Sequence, residues 1–156
     1  MPPPLDTALR LGLAAIVGGC VGMDRELTHK AAGLRTHMLL SVGAALFVLV
    51  ATGVEHPPGD GDMGRVLQGL VTGIGFLSAG QILRRGLPVG LTTAADLWVV
   101  GGLGAACGLG AYGVAIGVTL LVMAILRGLL LVERRLNAGA QSVSSPRHHA
   151  RNAEGG

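Results

Sequence analysis

The residues of this sequence that could do chemistry are charged and polar side chains that border its apolar segments. Carboxylates, guanidinium groups and hydroxyls in such places can form buried ion pairs, line a hydrated cavity or bind a cation. Asp96 is the most deeply placed carboxylate, about one turn inside an apolar segment. The whole candidate set is Asp24, Arg25, Glu26, Arg35, Thr36, His37, Ser78, Gln81, Arg84, Arg85, Thr92, Thr93 and Asp96.

The spacing of these residues indicates shared helix faces. Thr92 and Asp96 are i,i+4 neighbours and Ser78 and Gln81 are i,i+3 neighbours, so each pair faces one direction from its helix. A charge at the centre of a membrane helix costs about 2.5–3.5 kcal/mol on insertion scales, and less near an end, so we expect Asp96 to be paired or to line a cavity. Its candidate partners are Arg84, Arg85, Arg35 and Arg25. The alternative interpretation is that these residues are interfacial anchors that only set orientation.

An intramembrane enzyme is the weakest alternative, which only the combinations of Ser41 with His37 and of Ser78 with Asp96 would allow. There is no recognisable nucleophile motif and no phosphate-binding loop, so we expect a non-enzymatic protein. Cys20 and Cys107 lie inside apolar segments without zinc-like spacing and are interpreted as packing residues. We expect no cofactor. The metal is unknown, although one or two of the carboxylates could hold a hydrated Mg²⁺. An aromatic content of 3% argues against nucleic acid as the partner of this basic chain.

The apolar segments that position these residues dominate the composition. Of 156 residues, 50% are hydrophobic and 13% are charged, against about 25% charged in soluble domains. We therefore predict an all-α integral membrane protein, a bundle of five transmembrane helices in contact with the lipid bilayer. The predicted membrane domain is 7–132, with spans at 7–23, 36–54, 66–83, 92–108 and 111–131.

The distribution of basic residues orients this bundle. Most Lys and Arg residues fall in three segments that five spans place on one side, whereas Arg10 and Arg65 fall on the other. Because an excess of Lys and Arg marks the cytoplasmic side, we predict that residues 1–6 are external and that 133–156 form a disordered cytoplasmic tail. All the candidate polar residues then meet at the cytoplasmic ends of their helices.

Glycines at GxxxG and related spacings predict how the helices associate. Small residues at this spacing let helix backbones approach closely in lipid, so we expect a tight bundle that continues into a homodimer. The predicted packing glycines are Gly18, Gly22, Gly69, Gly73, Gly75, Gly104, Gly108, Gly113 and Gly117.

Several short motifs resemble the MgtC/SapB family of bacterial inner-membrane proteins. They are Gly22-Met23-Asp24-Arg25-Glu26, Ala32-Gly33-Leu34-Arg35-Thr36-His37, Gly43-Ala44-Ala45-Leu46, Gly73-Ile74-Gly75-Phe76-Leu77, Ile82-Leu83-Arg84-Arg85-Gly86 and Gly90-Leu91-Thr92-Thr93-Ala94-Ala95. The resemblance covers about 9–132 and implies a multi-pass inner-membrane domain of four to five spans, in a short form without the C-terminal soluble domain of longer members. It also implies that these polar motifs are the family signature.

The resemblance further implies a physiological setting: adaptation to low magnesium, virulence and modulation of the proton-translocating ATP synthase. The leading hypothesis is a non-enzymatic regulator that acts through helix–helix contacts with a membrane partner such as the ATP synthase. The alternative is an oligomeric conduit for Mg²⁺ or another ion that uses the Asp, Glu, Gln and Thr cluster. The outer halves of the helices contain few polar residues, which argues against a continuous hydrated path.

Overall fold

The computed structural model describes residues 2–53, 62–82 and 90–143, and the regular structure in these ranges is helical throughout. The helices are α1 (Pro4–Leu27), α2 (Leu34–Gly53), α3 (Asp62–Ile82), α4 (Leu91–Gly108) and α5 (Tyr112–Val143). The chain divides into two compact units, Met1–Met123 and Ala124–Gly156. The first unit contains α1 to α4 and the beginning of α5.

Among the described residues, three helices are long and apolar enough to cross a membrane: α1, α2 and α4. They contain 24, 20 and 18 residues, which correspond to about 36, 30 and 27 Å at 1.5 Å per residue. A bilayer core is about 30 Å thick. α5 carries a shorter apolar stretch, Tyr112–Gly128. α3 has 21 residues but includes Arg65, Gln68 and Thr72.

Each helix overlaps one predicted span and differs from it mainly at the ends. α1 begins before residue 7 because Pro4 fits the first turn of a helix, where no backbone N–H is required. α5 continues to Val143, whereas we predicted an unstructured tail from residue 133. Good helix formers such as Leu136, Ala138 and Ala140 favour this continuation. Residues 144–156, the rest of the predicted tail, lie outside the described residues.

The core of the first unit is built around α2, which packs against both α1 and α4, while α3 contacts α4 and α2. Glycines make the approach close on both sides of α2. A Cβ atom at Gly18 of α1 would lie 2.7 Å from the carbonyl oxygen of His37, and one at Gly108 of α4 would lie 2.7 Å from that of Ala45. A Cβ atom at Gly104 would overlap the backbone of Ser41.

Three residues with positive φ lie in the described connections: His29 after α1, Gly90 before α4 and Gly110 after α4. Gly110 has φ of 77°, and the amides of Gly110 and Ala111 bond the carbonyls of Cys107 and Ala106 at 3.0 and 2.9 Å. This is a Schellman arrangement, which satisfies the last carbonyls of α4. We name the two ends of the bundle after the arginines of α1. The Arg25 end is where α1 finishes and α2 and α4 begin, and the Arg10 end is where α1 begins and α4 finishes.

Candidate functional site

An ion pair inside the Arg25 end joins two helices that are distant in sequence. Arg25 Nε lies 2.5 Å from Asp96 Oδ2, and the two side chains are only 4% and 6% exposed. Arg25 is in the last turn of α1 and Asp96 is near the start of α4. The helix dipole favours a cation in the last turn of α1, so local structure supports the charge of Arg25. Asp96 lies beyond the first turn of α4, so its charge depends on Arg25.

The structure selects one of the four arginines that the sequence offers as partners for Asp96. Arg35 on α2 is exposed, unlike the buried pair, and Arg84 and Arg85 lie outside the described residues. Because both charges are shielded from water, removing one would leave the other buried and uncompensated. The pair therefore fixes the contact between α1 and α4.

His37 and Asp24 lie beside this ion pair. Both are buried, and both interact electrostatically with Asp96. The His37 ring is wholly inaccessible, and its Nδ1 lies 2.9 Å from the carbonyl oxygen of Gly33. Since a carbonyl only accepts hydrogen bonds, the Nδ1 atom carries the proton. Nε2 is buried and makes no hydrogen bond to the described residues.

Three hydroxyl side chains complete the buried polar group at this end. Ser41 lies one turn beyond His37 on α2, and its Oγ is buried without a hydrogen bond in the described part of the chain. Ser78 of α3 donates a 3.2 Å hydrogen bond to the carbonyl oxygen of Ala94 on α4. Thr93 is 2% exposed. We call Asp24, Arg25, His37, Ser41, Ser78, Thr93 and Asp96 the buried polar cluster.

The other predicted site residues lie outside this cluster. Four of them, Glu26, Arg35, Thr36 and Thr92, are exposed, and Gln81 is half-buried. Glu26 Oε2 accepts a 3.0 Å hydrogen bond from the backbone N–H of Leu34 and so caps the start of α2. The single set predicted from the sequence is thus divided into a buried group and a surface group.

The chemistry available to the buried polar cluster is electrostatic. Its helices bring two carboxylates, one guanidinium and one imidazole together in a place shielded from solvent. Among residues 2–53, 62–82 and 90–143, no group of three or more His, Cys, Asp or Glu side chains is arranged to hold a metal ion. The cluster is suited to fixing helix positions and to responding to a charge brought close to it.

A second polar network, which sequence reasoning missed, closes the Arg10 end. Arg10 forms a 2.8 Å ion pair with Asp6 and donates a 2.8 Å hydrogen bond to the carbonyl oxygen of Gly108. The Tyr112 hydroxyl donates to Asp6 at 3.0 Å. The guanidinium occupies the space beside Gly110 that a side chain would fill. The i,i+4 spacing of Asp6 and Arg10 was the available signal, but a backbone carbonyl acceptor leaves no mark in the sequence.

The predicted packing glycines also fall into two groups. Gly18, Gly22, Gly104 and Gly108 lie against the backbone or Cβ atoms of α2, as the close-approach interpretation requires. At the remaining five, a Cβ atom would meet nothing within 4 Å: Gly69, Gly73, Gly75, Gly113 and Gly117. In the described part of the chain these five glycines therefore make no close helix contact.

Comparisons with known proteins agree with the short motifs. The profile of the MgtC family matches residues 11–135. The chain is 42% identical over 132 residues to the Escherichia coli K12 protein named "Putative magnesium transporter YhiD", covering 78% of this chain and 60% of that protein. It is 41% identical over 118 residues to Protein MgtC of Salmonella typhimurium, covering 74% of this chain and 48% of that protein. The chain thus spans about half to three fifths of the length of these relatives. No solved structure matches it significantly.

Proposed function

Because the chain belongs to the MgtC family, we propose that it is a non-enzymatic regulator of the bacterial inner membrane linked to magnesium homeostasis and stress or virulence adaptation. It acts through helix–helix contacts with a membrane partner, for which the ATP synthase is one candidate, and it forms a homodimer. All five helices cross the bilayer, with the N-terminus outside and the C-terminus in the cytoplasm.

The positions of the polar clusters support this topology. Arg25 at the end of α1 meets Asp96 at the start of α4, and Ser78 near the end of α3 bonds Ala94 near the start of α4. Arg10 near the start of α1 meets the end of α4. Such end-to-end pairing is what alternating membrane crossings produce, and the Arg25 end faces the side that the Lys and Arg bias makes cytoplasmic.

The observation that carries the regulatory proposal is the glycine face of α5. Gly113 and Gly117 are exposed with open space beside them, and exposed Leu120 and Leu121 continue the same stripe. Ala115 and Thr119, on the opposite face, are buried. Small residues at i,i+4 allow a second helix to approach closely in lipid, where close packing drives association. This α5 glycine face therefore offers a docking surface for a partner helix.

Site-specific crosslinking tests the proposal. A photoreactive amino acid in place of Leu120, on the α5 glycine face, is irradiated in cells grown in low magnesium, and the products are purified. We expect a crosslink to a different membrane protein, lost when Gly117→Leu blocks the face. Gly12→Leu, on exposed α1 surface with nothing within 4 Å of its Cβ, is the matched control and should leave the crosslink intact. Recovery of only the protein crosslinked to itself would contradict the proposal that it regulates a membrane partner.

A magnesium conduit is the second candidate function. It is favoured by the printed name of the YhiD relative and by the two buried carboxylates, Asp24 and Asp96. Magnesium is held by one or two carboxylates while it keeps several waters. Proteoliposomes that carry the protein and a magnesium-sensitive dye separate the two candidates. Flux that is lost in Asp96→Asn would support the conduit, and absence of flux in the wild type would exclude it.

A further inference from the structure

A lateral groove between α2 and α3 has no part in either proposed function. Its volume is about 860 Å³, and its walls include Leu39, Phe47 and Leu77. It exists because Gly43, Gly69 and Gly73 present no side chains to the space between the two helices, while Leu97 of α4 closes its inner side. In a membrane, an open apolar groove of this kind in a helix bundle is occupied by an apolar group.

Polar groups line this groove at one end only. Arg35, Thr36 and Gln81 are the polar lining residues, and all three belong to the Arg25 end. Arg35 is exposed and takes part in no ion pair with the described residues. Thr36 stands in the first turn of α2, where backbone N–H groups point outward and favour an anion. The carboxylate of Glu26, which lines a smaller pocket together with Arg35 and Thr36, accepts the N–H of Leu34.

The groove is shorter than the hydrocarbon core. Its lining runs from Arg35 to Phe47 on α2 and from Val66 to Gln81 on α3, about 18 and 22 Å at 1.5 Å per residue. These lengths exceed one leaflet, which is about half of a ~30 Å hydrocarbon core, but do not reach across the whole core. A transmembrane helix would need a contact surface for the whole core, and would not need a cation at one end only. An amphiphile with an anionic head and an acyl tail fits the one-ended polarity.

We propose that the groove binds an anionic phospholipid, with an acyl chain between α2 and α3 and the phosphate at Arg35 and Thr36. The apolar walls remove the chain from bulk lipid, and the guanidinium with the α2 N-terminus selects the negative head group. In the proposed orientation the Arg25 end is cytoplasmic, the leaflet side on which anionic lipids attract basic residues. The groove itself does not depend on that orientation or on the regulatory role.

Native mass spectrometry of the purified protein tests the proposal. The protein is released from micelles doped with equal amounts of phosphatidylglycerol and phosphatidylcholine, and bound lipid is counted. We expect phosphatidylglycerol to be preferred about fivefold, the equivalent of roughly 1 kcal/mol for one basic residue near an anionic lipid. Arg35→Gln should abolish the preference. Gly73→Leu should reduce binding of both lipids, because its side chain fills the groove.

Matched variants separate the groove from general effects. Lys30→Gln removes an exposed charge outside the groove lining, and Gly102→Leu adds a side chain to exposed α4 surface with nothing within 4 Å of its Cβ. Both should bind lipid as the wild type does. Thermal unfolding without added lipid reports folding, and Gly69→Leu replaces Gly73→Leu if that variant misfolds. Equal binding of the two lipids by wild type, or an equal loss in Lys30→Gln, would overturn the proposal. A dimer that Gly73→Leu dissociates would assign the groove to a second copy instead.

Discussion

At the scale of single residues, Arg25 and Asp96 carry opposite charges into a place from which water is excluded. We expect Asp96→Leu to destabilise the fold by about 3–5 kcal/mol, because the guanidinium of Arg25 would remain buried and uncompensated. Arg25→Met should be similarly severe. The double variant should be less destabilised than the sum of the single variants by about 0.5–3 kcal/mol, since the two residues are in direct contact.

Thermal unfolding in detergent, followed by the fluorescence of Trp98, measures these effects. Trp98 is the only tryptophan and lies on α4 close to Asp96. A control pair, Arg35→Met and Thr92→Leu, changes exposed residues from the same predicted set and should shift the transition little. Strict additivity of the two core variants would show that the ion pair does not couple α1 to α4.

We expect opposite effects on stability from replacing two serines, Ser41 and Ser78, although both are buried. Ser78→Ala removes a hydrogen bond to the carbonyl oxygen of Ala94 and should cost about 0.5–1.5 kcal/mol. Ser41→Ala should be neutral or stabilising, because the Ser41 Oγ has no hydrogen-bond partner among the described residues and its burial is unfavourable. The same thermal measurement distinguishes them. A Ser41→Ala variant less stable than Ser78→Ala would mean that Ser41 binds a group such as a buried water.

At the scale of helices, one glycine on α4 is required by packing and a neighbouring one is not. A Cβ atom at Gly104 would overlap the backbone of Ser41, so Gly104→Ala must move α4 away from α2 and should cost about 1–3 kcal/mol. Gly102→Ala, on the exposed side of the same helix, has open space and should stabilise the helix by up to about 1 kcal/mol through higher propensity.

The transition temperatures of the two alanine variants should therefore move in opposite directions from the wild type. Both substitutions add the same methyl group to the same helix, so differences in composition and expression cannot explain a divergence. Equal shifts would mean that α2 and α4 adjust freely at their contact.

The sequence predicted the helices well because the length and apolarity of each segment are local properties. It also predicted that Asp96 would pair or line a cavity, since the cost of an isolated buried charge is general. It could not choose Arg25 among four arginines, because that choice depends on how α1 and α4 are rotated about their axes. The sequence could not show which glycines lie against another helix, for the same reason. GxxxG spacing permits close approach but does not indicate which helix approaches.

At the scale of the whole molecule, the two polar networks have complementary places. The buried polar cluster joins α1 and α3 to α4 at one end, and the Asp6–Arg10–Tyr112 network joins α1 to the end of α4 at the other. Polar contacts at both ends and apolar, glycine-rich contacts between them are what a bundle needs when its middle is surrounded by lipid. If the helices cross the membrane, the two networks lie on opposite sides of it, so measuring the orientation of the chain tests the fold.

Cysteine labelling checks that orientation. In a Cys20→Ala, Cys107→Ala background, single cysteines replace Pro3 beyond the Arg10 end, Lys30 in the turn between α1 and α2, and Asn152 near the C-terminus. An impermeant maleimide added to intact spheroplasts should label position 3 but neither 30 nor 152, because five crossings place those two in the cytoplasm. Lysis before labelling should expose all three and controls for reactivity. Labelling of positions 3 and 152 from the same side would require an even number of crossings, and labelling of position 30 from outside would reverse the Arg25 end.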